Sequence, residues 1–315
     1  MTFLLKTGIA AVCAVLLTPE VSAASIFVTS RDGGGADLYQ FSANGTLMTT
    51  LPGNGLKNGQ GVTIGPNGNL FVASEGGNAV LQYNPVTGAF INSFAVTANS
   101  PGPIAFGPDG NLYVGVGGIV QQFDGATGGF LSTFASGQSM SSAAGIVFDS
   151  NGNLYVSDGV TGTINRFDST GAFVSTFVSG NPLLAKGAGP LLFNGTTLLV
   201  AATFGNGQTW GNSILAFDPT GASLGNFISD ANLIGPSGMA FGPDGNFYVV
   251  NYAGGNVVRY TSGGTFIDTF IANNPPSGRF IAFAPDDPGN GVPEPGSLGM
   301  VGIGLIGVLC LLKRR

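Results

Sequence analysis

The chain has 315 residues, a formal net charge of −6, 54 glycines and no histidine, and only 8% of its residues are charged. An acidic, sparsely charged surface repels nucleic acid and anionic lipid, so neither is an expected partner. Both cysteines, Cys13 and Cys310, lie in apolar terminal segments. The mature domain therefore lacks Ser-His-Asp and Cys-His catalysis, zinc sites of the usual His or Cys type, and disulfides.

Residues 1–23 are typical of a secretory signal peptide. Lys6 precedes an apolar run at 9–17, and a stretch of small residues ends at Ala23, after which we expect cleavage. A first transmembrane helix is the alternative interpretation, but the apolar run is too short to span a bilayer. The segment therefore predicts export.

Residues 24–287 repeat one phrase, which reads FGPDGNLYV from Phe106 to Val114. Close copies begin at Ile64, Phe148 and Phe241, and a worn copy begins at Phe193. With Phe283 included, the apolar residues before these turns are separated by 42, 42, 45, 48 and 42 residues. A period of this length is typical of the blades of a β-propeller.

Each repeat predicts four strands bounded by turn residues. In the clearest repeat the strands cover Gly145 to Phe148, Leu154 to Ser157, Thr163 to Phe167 and Ala172 to Val178. The first repeat has only the last three strands, at Ile26 to Ser30, Asp37 to Phe41 and Thr46 to Leu51. Gly278 to Phe283 is a first strand with no second strand after it. We expect it to complete the N-terminal sheet and to close an all-β, six-bladed propeller of four-stranded antiparallel blades.

Aspartates recur in the predicted turns. Asp109 follows a first strand, whereas Asp124, Asp168 and Asp218 lie between third and fourth strands. One interpretation is a repeated array of carboxylates. The other, which we favour, is turn formation, because these residues lack a second carboxylate beside them.

The repeat resembles NHL-type and SMP-30-like propellers, whose blades also read as glycine, an apolar residue, a turn, NLYV and a strand ending in FD. In the lactonase members of that group, Glu, Asn and Asp side chains hold a metal in the central channel. The corresponding positions here, just before the first strands, are Gln60, Gly102, Ala144, Gly189, Ser237 and Ser277. None is a carboxylate, so we expect no central-channel carboxylates, no bound metal and no cofactor. The resemblance implies a fold more than an activity.

One rim of an up-and-down propeller collects the loops between second and third strands and the links between blades. The candidate ligand residues on this rim are Glu75, Asp158, Trp210, Asn251 and Tyr252. Trp210, the only tryptophan, lies in an irregular insertion at 204–212. Aromatic rings beside amides and carboxylates suit sugar binding, although Trp210 could instead pin its own loop. Glu75 and Asp158 could act as an acid and base pair or simply solubilise the rim.

Residues 288–297 form a proline- and glycine-rich linker that contains Val292, Pro293, Glu294 and Pro295. A C-terminal transmembrane helix and basic tail are predicted over 298–315, ending in Lys313, Arg314 and Arg315. At about 1.5 Å per residue the apolar part spans roughly 22 Å, short of the roughly 30 Å of a bilayer core. The helix is therefore a marginal anchor.

The VPEP motif, the apolar helix and the basic tail together resemble the PEP-CTERM sorting signal of exopolysaccharide-producing bacteria, over residues 292–315. The resemblance implies recognition by an exosortase, a transient inner-membrane intermediate, removal of the helix, and delivery to the cell surface or extracellular matrix. An ordinary tail anchor with a chance VPEP is the alternative.

The sequence thus favours an exported, non-catalytic β-propeller sorted to the cell surface or to the polysaccharide matrix of a biofilm. There it would bind polysaccharide or another surface component, or serve as a structural matrix protein. The alternative is a metal-assisted, lactonase-like hydrolase or lyase of the SMP-30-like group that uses Glu75 and Asp158.

Overall fold

The computed structural model describes residues 25–31, 37–51, 53–204, 210–272 and 275–284. Within these ranges the chain forms 24 β-strands and one short 3-10 helix. No helix in these ranges is long and apolar enough to cross a bilayer. The predicted signal peptide, linker, C-terminal helix and basic tail lie outside the described residues.

The strands of the first three repeats are β1 Ile26–Ser30, β2 Leu38–Phe41, β3 Leu47–Thr50, β4 Gly59–Ile64, β5 Leu70–Ser74, β6 Ala79–Tyr83, β7 Phe90–Val96, β8 Pro101–Phe106, β9 Leu112–Val116, β10 Ile119–Phe123 and β11 Phe130–Ala135. They are followed by β12 Ala143–Phe148, β13 Leu154–Asp158, β14 Ile164–Phe167, β15 Phe173–Val178, β16 Leu191–Asn194, β17 Thr197–Phe204, β18 Trp210–Phe217, β19 Ser223–Ser229, β20 Pro236–Phe241, β21 Phe247–Asn251, β22 Asn256–Tyr260, β23 Phe266–Ile271 and β24 Gly278–Phe283. The 3-10 helix, Pro182–Leu184, lies between β15 and β16.

These strands form six four-stranded antiparallel sheets, which are the blades of a propeller. Blades 2 to 6 each use four consecutive strands, beginning with β4, β8, β12, β16 and β20. Blade 1 has the strand order β24-β1-β2-β3, and β24 pairs with β1 so that Ile26 lies opposite Phe283. The predicted six-bladed fold and its closure by the terminal strands are confirmed.

Several strand bounds differ from the predicted ones by one or two residues. β12 begins at Ala143 rather than Gly145, because Ala143 pairs with Asp158 across a register shift, and β13 correspondingly extends to Asp158. Four strands begin one residue later than predicted. In each case the residue just before the strand closes the preceding turn or loop, because its carbonyl oxygen accepts a backbone hydrogen bond there. These residues are Asp37, Thr46, Thr163 and Ala172.

Burial varies with the position of a strand in its blade. The second strands β5, β9, β13 and β21 are buried at every residue, and they read as nearly continuous apolar runs. The outer strand β3 is exposed at every residue. A run of apolar residues without alternation is expected of a strand covered on both faces, so neighbouring blades supply the cover for each second strand.

Aromatic contacts repeated around the ring join neighbouring blades. Four of the repeated phrases contain an aromatic residue on the second strand, in the sequences NLFV, NLYV, NLYV and NFYV. Each of these rings packs edge-on against a phenylalanine of its own outer strand and against the marker phenylalanine, which lies at or next to the end of the first strand of the next blade. The centroid distances are 4.9 and 5.0 Å for Phe71 with Phe94 and Phe106, 4.8 and 4.8 Å for Tyr113 with Phe134 and Phe148, 4.9 and 5.3 Å for Tyr155 with Phe177 and Phe193, and 5.1 and 4.9 Å for Tyr248 with Phe270 and Phe283. The last of these contacts crosses the closure between blades 6 and 1.

The markers themselves are only partly buried. Phe106 and Phe241 are intermediate in exposure, whereas Phe71 is fully buried. The residue with the greatest burial at each blade boundary is therefore the one on the second strand.

The repeated turns use their aspartates internally. The Asp109 carboxylate accepts hydrogen bonds from the Asn111 backbone N–H at 3.1 Å and from the Tyr113 hydroxyl at 2.9 Å. Gly110, at the tip of the turn, has a φ of +78°, which only glycine adopts without strain. Asp244 makes the equivalent contacts in blade 6. These aspartates form turns, as the favoured interpretation holds.

Truncation of Phe71 to alanine should destabilise the fold by about 3 to 5 kcal/mol, because it removes a fully buried ring from a blade boundary. Phe106→Ala should cost less, since that ring is partly exposed. Phe130→Ala, at a side chain that is 56% exposed on an outer strand, is the matched control. Equilibrium denaturation of the three variants tests this order, and a Phe106 variant that loses more stability than the Phe71 variant contradicts it.

The turn aspartates also predict a loss of stability in acid. Burial raises the pKa of the Asp109 carboxyl, but hydrogen bonds from Asn111 and Tyr113 outweigh it and hold the pKa below its usual range. The pKa of the Asp244 carboxyl is lowered in the same way, by hydrogen bonds from Asn246 and Tyr248. A carboxyl with a lower pKa in the folded chain stabilises the fold above the unfolded pKa of about 3.9, and this stabilisation is lost as the pH falls through the folded value.

The melting temperature should therefore fall below about pH 4. The fall should be smaller in an Asp109→Asn, Asp244→Asn double variant, whose amides do not titrate. Thermal melts across this pH range measure the difference, and equal falls in both proteins would show that these turns do not contribute.

Candidate functional site

A cavity of about 410 Å³ lies where the first strands of all six blades converge. Six residues just before the first strands were predicted to face the channel. Five of them line the cavity, namely Gln60, Gly102, Ala144, Gly189 and Ser237. The sixth, Ser277, was wrongly placed. It precedes β24 in a turn with a φ of +51°, and Arg279, two residues later on β24, lines the cavity instead.

The expectation of no central-channel carboxylate is also wrong. Glu75, directly after β5, lines the cavity together with Arg31, directly after β1. The Glu75 carboxylate accepts hydrogen bonds from the Arg31 Nη2 at 2.9 Å and from the Gln60 Nε2 at 2.8 Å, and its second oxygen lies 2.9 Å from the Arg31 Nε. Both carboxylate oxygens are therefore engaged by groups from blades 1 and 2.

The register of the second strands decides which side chains face the channel. The residue five positions after the first apolar residue of each second strand is called the channel position. The channel positions are Arg31, Glu75, Gly117, Gly159, Thr203 and Tyr252. All but Tyr252 line the cavity. The residue just before each channel position points to the opposite face, because neighbouring side chains of a strand alternate, and we call it the capping position.

Asp158 and Asn251 are capping positions, with exposures of 1% and 0%. The Asp158 carboxylate accepts hydrogen bonds from the backbone N–H groups of Ser141 and Val160 at 2.6 and 2.8 Å. The Asn251 amide accepts from the Ile234 N–H at 3.0 Å and donates to the Asn232 carbonyl at 2.7 Å. Each side chain thus holds the link that enters its own blade, and neither lines the cavity.

Trp210, Tyr252 and Arg279 form a row of contacts that ends at the cavity, in which the Trp210 and Tyr252 ring planes are tilted by 58°. The ring centroids of Trp210 and Tyr252 are 5.2 Å apart, and the Arg279 guanidinium lies 4.3 Å from the Tyr252 centroid. Trp210 is 42% exposed and packs against Gly235. It begins β18 and pairs with Phe204 of β17, so the described ends of the predicted irregular insertion are strand, and 205–209 lie outside the described residues.

Arg279 lies in an unusual electrostatic environment. Burial lowers the pKa of its guanidinium, the charge of Arg31 acts in the same direction, and Tyr252 and Glu75 oppose them. The Arg279 Nε is buried and has no hydrogen-bond partner among the described residues. Neither arginine was predicted from the sequence. Arg31 follows the second strand of blade 1 as Glu75 follows that of blade 2, so an alignment of the repeats extended to the residue after this strand would have found it.

The residues present do not fit a hard divalent cation. In the described part of the chain, no three His, Cys, Asp or Glu side chains come together as a ligand set. Calcium takes six or more oxygen ligands, usually including several carboxylates. Of the described residues that line the cavity, Glu75 is the single carboxylate, and it is paired with Arg31.

Solved structures with a similar fold come from proteins of different kinds. A chain in the nidogen/laminin complex superposes with a TM-score of 0.65 at 14% identity, over 83% of this chain and 98% of that one. A calcium-binding protein, regucalcin, from Agrobacterium tumefaciens superposes with a TM-score of 0.59 at 17% identity, over 75% and 81%. Streptogramin B lyase gives a TM-score of 0.54 at 16% identity, over 80% and 74%.

At such low identity these similarities show the fold alone, and the proteins include enzymes as well as a chain of the nidogen/laminin complex. No curated protein matches the sequence significantly. The family comparison matches the last 25 residues, 291–315, to the PEP-CTERM protein-sorting motif. The chain is therefore a six-bladed β-propeller that carries a PEP-CTERM sorting motif at its C-terminal end.

Proposed function

We propose that this protein is an exported, non-catalytic propeller that binds polysaccharide at the cell surface or in the extracellular matrix. The signal peptide at 1–23 begins export, and an exosortase removes the C-terminal helix at the inner membrane. The match of residues 291–315 to a sorting motif supports this route. The mature propeller is then delivered to a compartment rich in polysaccharide.

The observation that carries the binding function is the row of contacts from Trp210 to Arg279. The exposed Trp210 ring lies against Tyr252, the Arg279 guanidinium lies over the Tyr252 ring, and Arg279 lines the cavity. Sugar rings pack their apolar faces on aromatic side chains while polar groups fix their hydroxyls. The volume of about 410 Å³ falls within the usual size of a small-molecule site, so the cavity could receive one sugar unit of a longer chain.

The arrangement of carboxylates speaks against catalysis by the rim. A general base must reach the proton that it abstracts. Asp158 is buried beneath backbone N–H groups, and Glu75 is paired with Arg31. The metal-assisted hydrolase or lyase remains the alternative function, and turnover abolished by a chelator would favour it.

Trp210→Ala should weaken binding of the full chain, purified in detergent, to exopolysaccharide from the producing organism. We expect a loss of about tenfold or more, equivalent to about 1.4 kcal/mol. Phe130→Ala, which removes an exposed ring from an outer strand, should bind normally. Titration by calorimetry measures both. Equal affinities of the two variants would remove Trp210 from the site, and absence of binding by the unchanged chain would contradict the proposed function.

Glu294→Ala should block sorting. If an exosortase recognises the motif that contains Glu294, the variant should accumulate in the inner-membrane fraction at its unprocessed length. Asp287→Ala, outside the motif, is the matched control and should reach the surface. Cell fractionation and immunoblotting check the outcome, and normal surface delivery of the Glu294 variant would contradict this route.

A further inference from the structure

We infer that the cavity binds the carboxylate of an acidic sugar between Arg279 and Arg31, so that the polysaccharide recognised by this protein is an acidic one. This inference rests on the proposed function, because it names the chemical class of that ligand. Glu75 then serves as an internal carboxylate that holds Arg31 in place while the cavity is free.

The first support is the charge of the cavity. Among the described residues, its lining contains two guanidinium groups and one carboxylate, Arg31, Arg279 and Glu75. The chain as a whole has a formal net charge of −6. A positive group in a recess that excludes part of the solvent is stabilised by an anion, and one carboxylate would balance the excess charge.

The second support is the geometry of Arg279. Tyr252 covers one face of the guanidinium. The buried Nε has no hydrogen-bond partner in the described ranges. Guanidinium edges match carboxylates, so the Arg279 Nε–H is a donor to which a ligand oxygen can bind.

The third support is the distribution of charge between the two rims. The turns between first and second strands and between third and fourth strands form the turn rim, and the described turn rim has six aspartates and no cations. Those aspartates are Asp109, Asp124, Asp149, Asp168, Asp218 and Asp244. The opposite, channel rim has four described cations, Arg31, Lys57, Lys186 and Arg279, and four described carboxylates, Asp37, Glu75, Asp158 and Asp230. An acidic polymer is therefore repelled more by the turn rim than by the channel rim, where cations balance the carboxylates.

The test uses the fluorescence of Trp210, which is the single tryptophan of the chain and is joined to Arg279 through Tyr252. The full chain in detergent is titrated with D-glucuronate, D-glucose and acetate. We expect saturable changes in emission with glucuronate, and binding of glucose and acetate that is weaker by about tenfold or more, because only glucuronate combines a sugar ring with a carboxylate. The affinity for glucuronate should fall as salt is added.

Arg279→Gln should reduce the affinity for glucuronate by about tenfold or more. Arg279→Lys keeps the positive charge but lacks the planar guanidinium, so this variant should lose part of the affinity for glucuronate. Arg31→Gln is an independent variant in case the Arg279 variants fold poorly. Arg259→Gln is the matched control, because Arg259 also stacks on an aromatic ring, 4.8 Å from the Phe270 centroid, but lies outside the cavity lining.

Glu75→Gln should raise the affinity for glucuronate several-fold, since it frees Arg31 and removes a negative charge from the cavity. A lower affinity would overturn the role given to Glu75. If exopolysaccharide binds and glucuronate does no better than glucose, or Arg279→Gln binds glucuronate like Arg259→Gln, the inference fails while the proposed function stands. If glucuronate binds through Arg279 and exopolysaccharide does not bind, the proposed function fails instead.

Discussion

The structure depends on the packing of one buried aromatic ring at each of four blade boundaries. Phe71, Tyr113, Tyr155 and Tyr248 each lie between the outer strand of their own blade and the first strand of the next. A single four-stranded sheet cannot cover both faces of its second strand, so each blade is stable only beside its neighbours. The closure between blades 6 and 1 uses the same contact as the interior boundaries, because the C-terminal strand β24 supplies Phe283. The closure is therefore packed in the same way as three of the interior boundaries.

Strand alternation then separates the scaffold from the site. The capping position of a second strand turns away from the channel and holds the incoming link, as Asp158 and Asn251 do through backbone hydrogen bonds. The next residue lines the channel in five of the six blades, as Glu75 does. Some channel positions also join neighbouring blades: Arg31 pairs with Glu75, and the Thr203 hydroxyl donates to the Pro236 carbonyl at 2.7 Å.

The repeat made the fold predictable, and the site was only partly so. A spacing of 42 residues and an unpaired C-terminal strand sufficed to predict six blades and their closure. Glu75, Trp210 and Tyr252 could be assigned to one rim from composition and loop position. Asp158 and Asn251 could not be separated from them, because a shift of one residue reverses the face of a strand. Arg279 was missed because the channel residue of blade 1 was predicted just before β24, at Ser277, whereas the residue that lines the cavity is the second residue of the strand.

Arg259 and Arg279 both lie over aromatic rings, and Arg259 shows how the fold satisfies an arginine that has a structural role. Arg259 lies over Phe270 and pairs with both oxygens of Asp268, at 3.2 and 2.6 Å. Arg279 lies over Tyr252 in the same manner, yet its nearest described carboxylate partner in the cavity, Glu75, is bonded to Arg31 instead. Arg279 is half-buried, and a guanidinium partly removed from water without its own carboxylate costs stability. An apolar residue would fill the same place on β24 without that cost. Such an arrangement is expected where a group is kept for a ligand and the stability of the free protein is the lesser requirement.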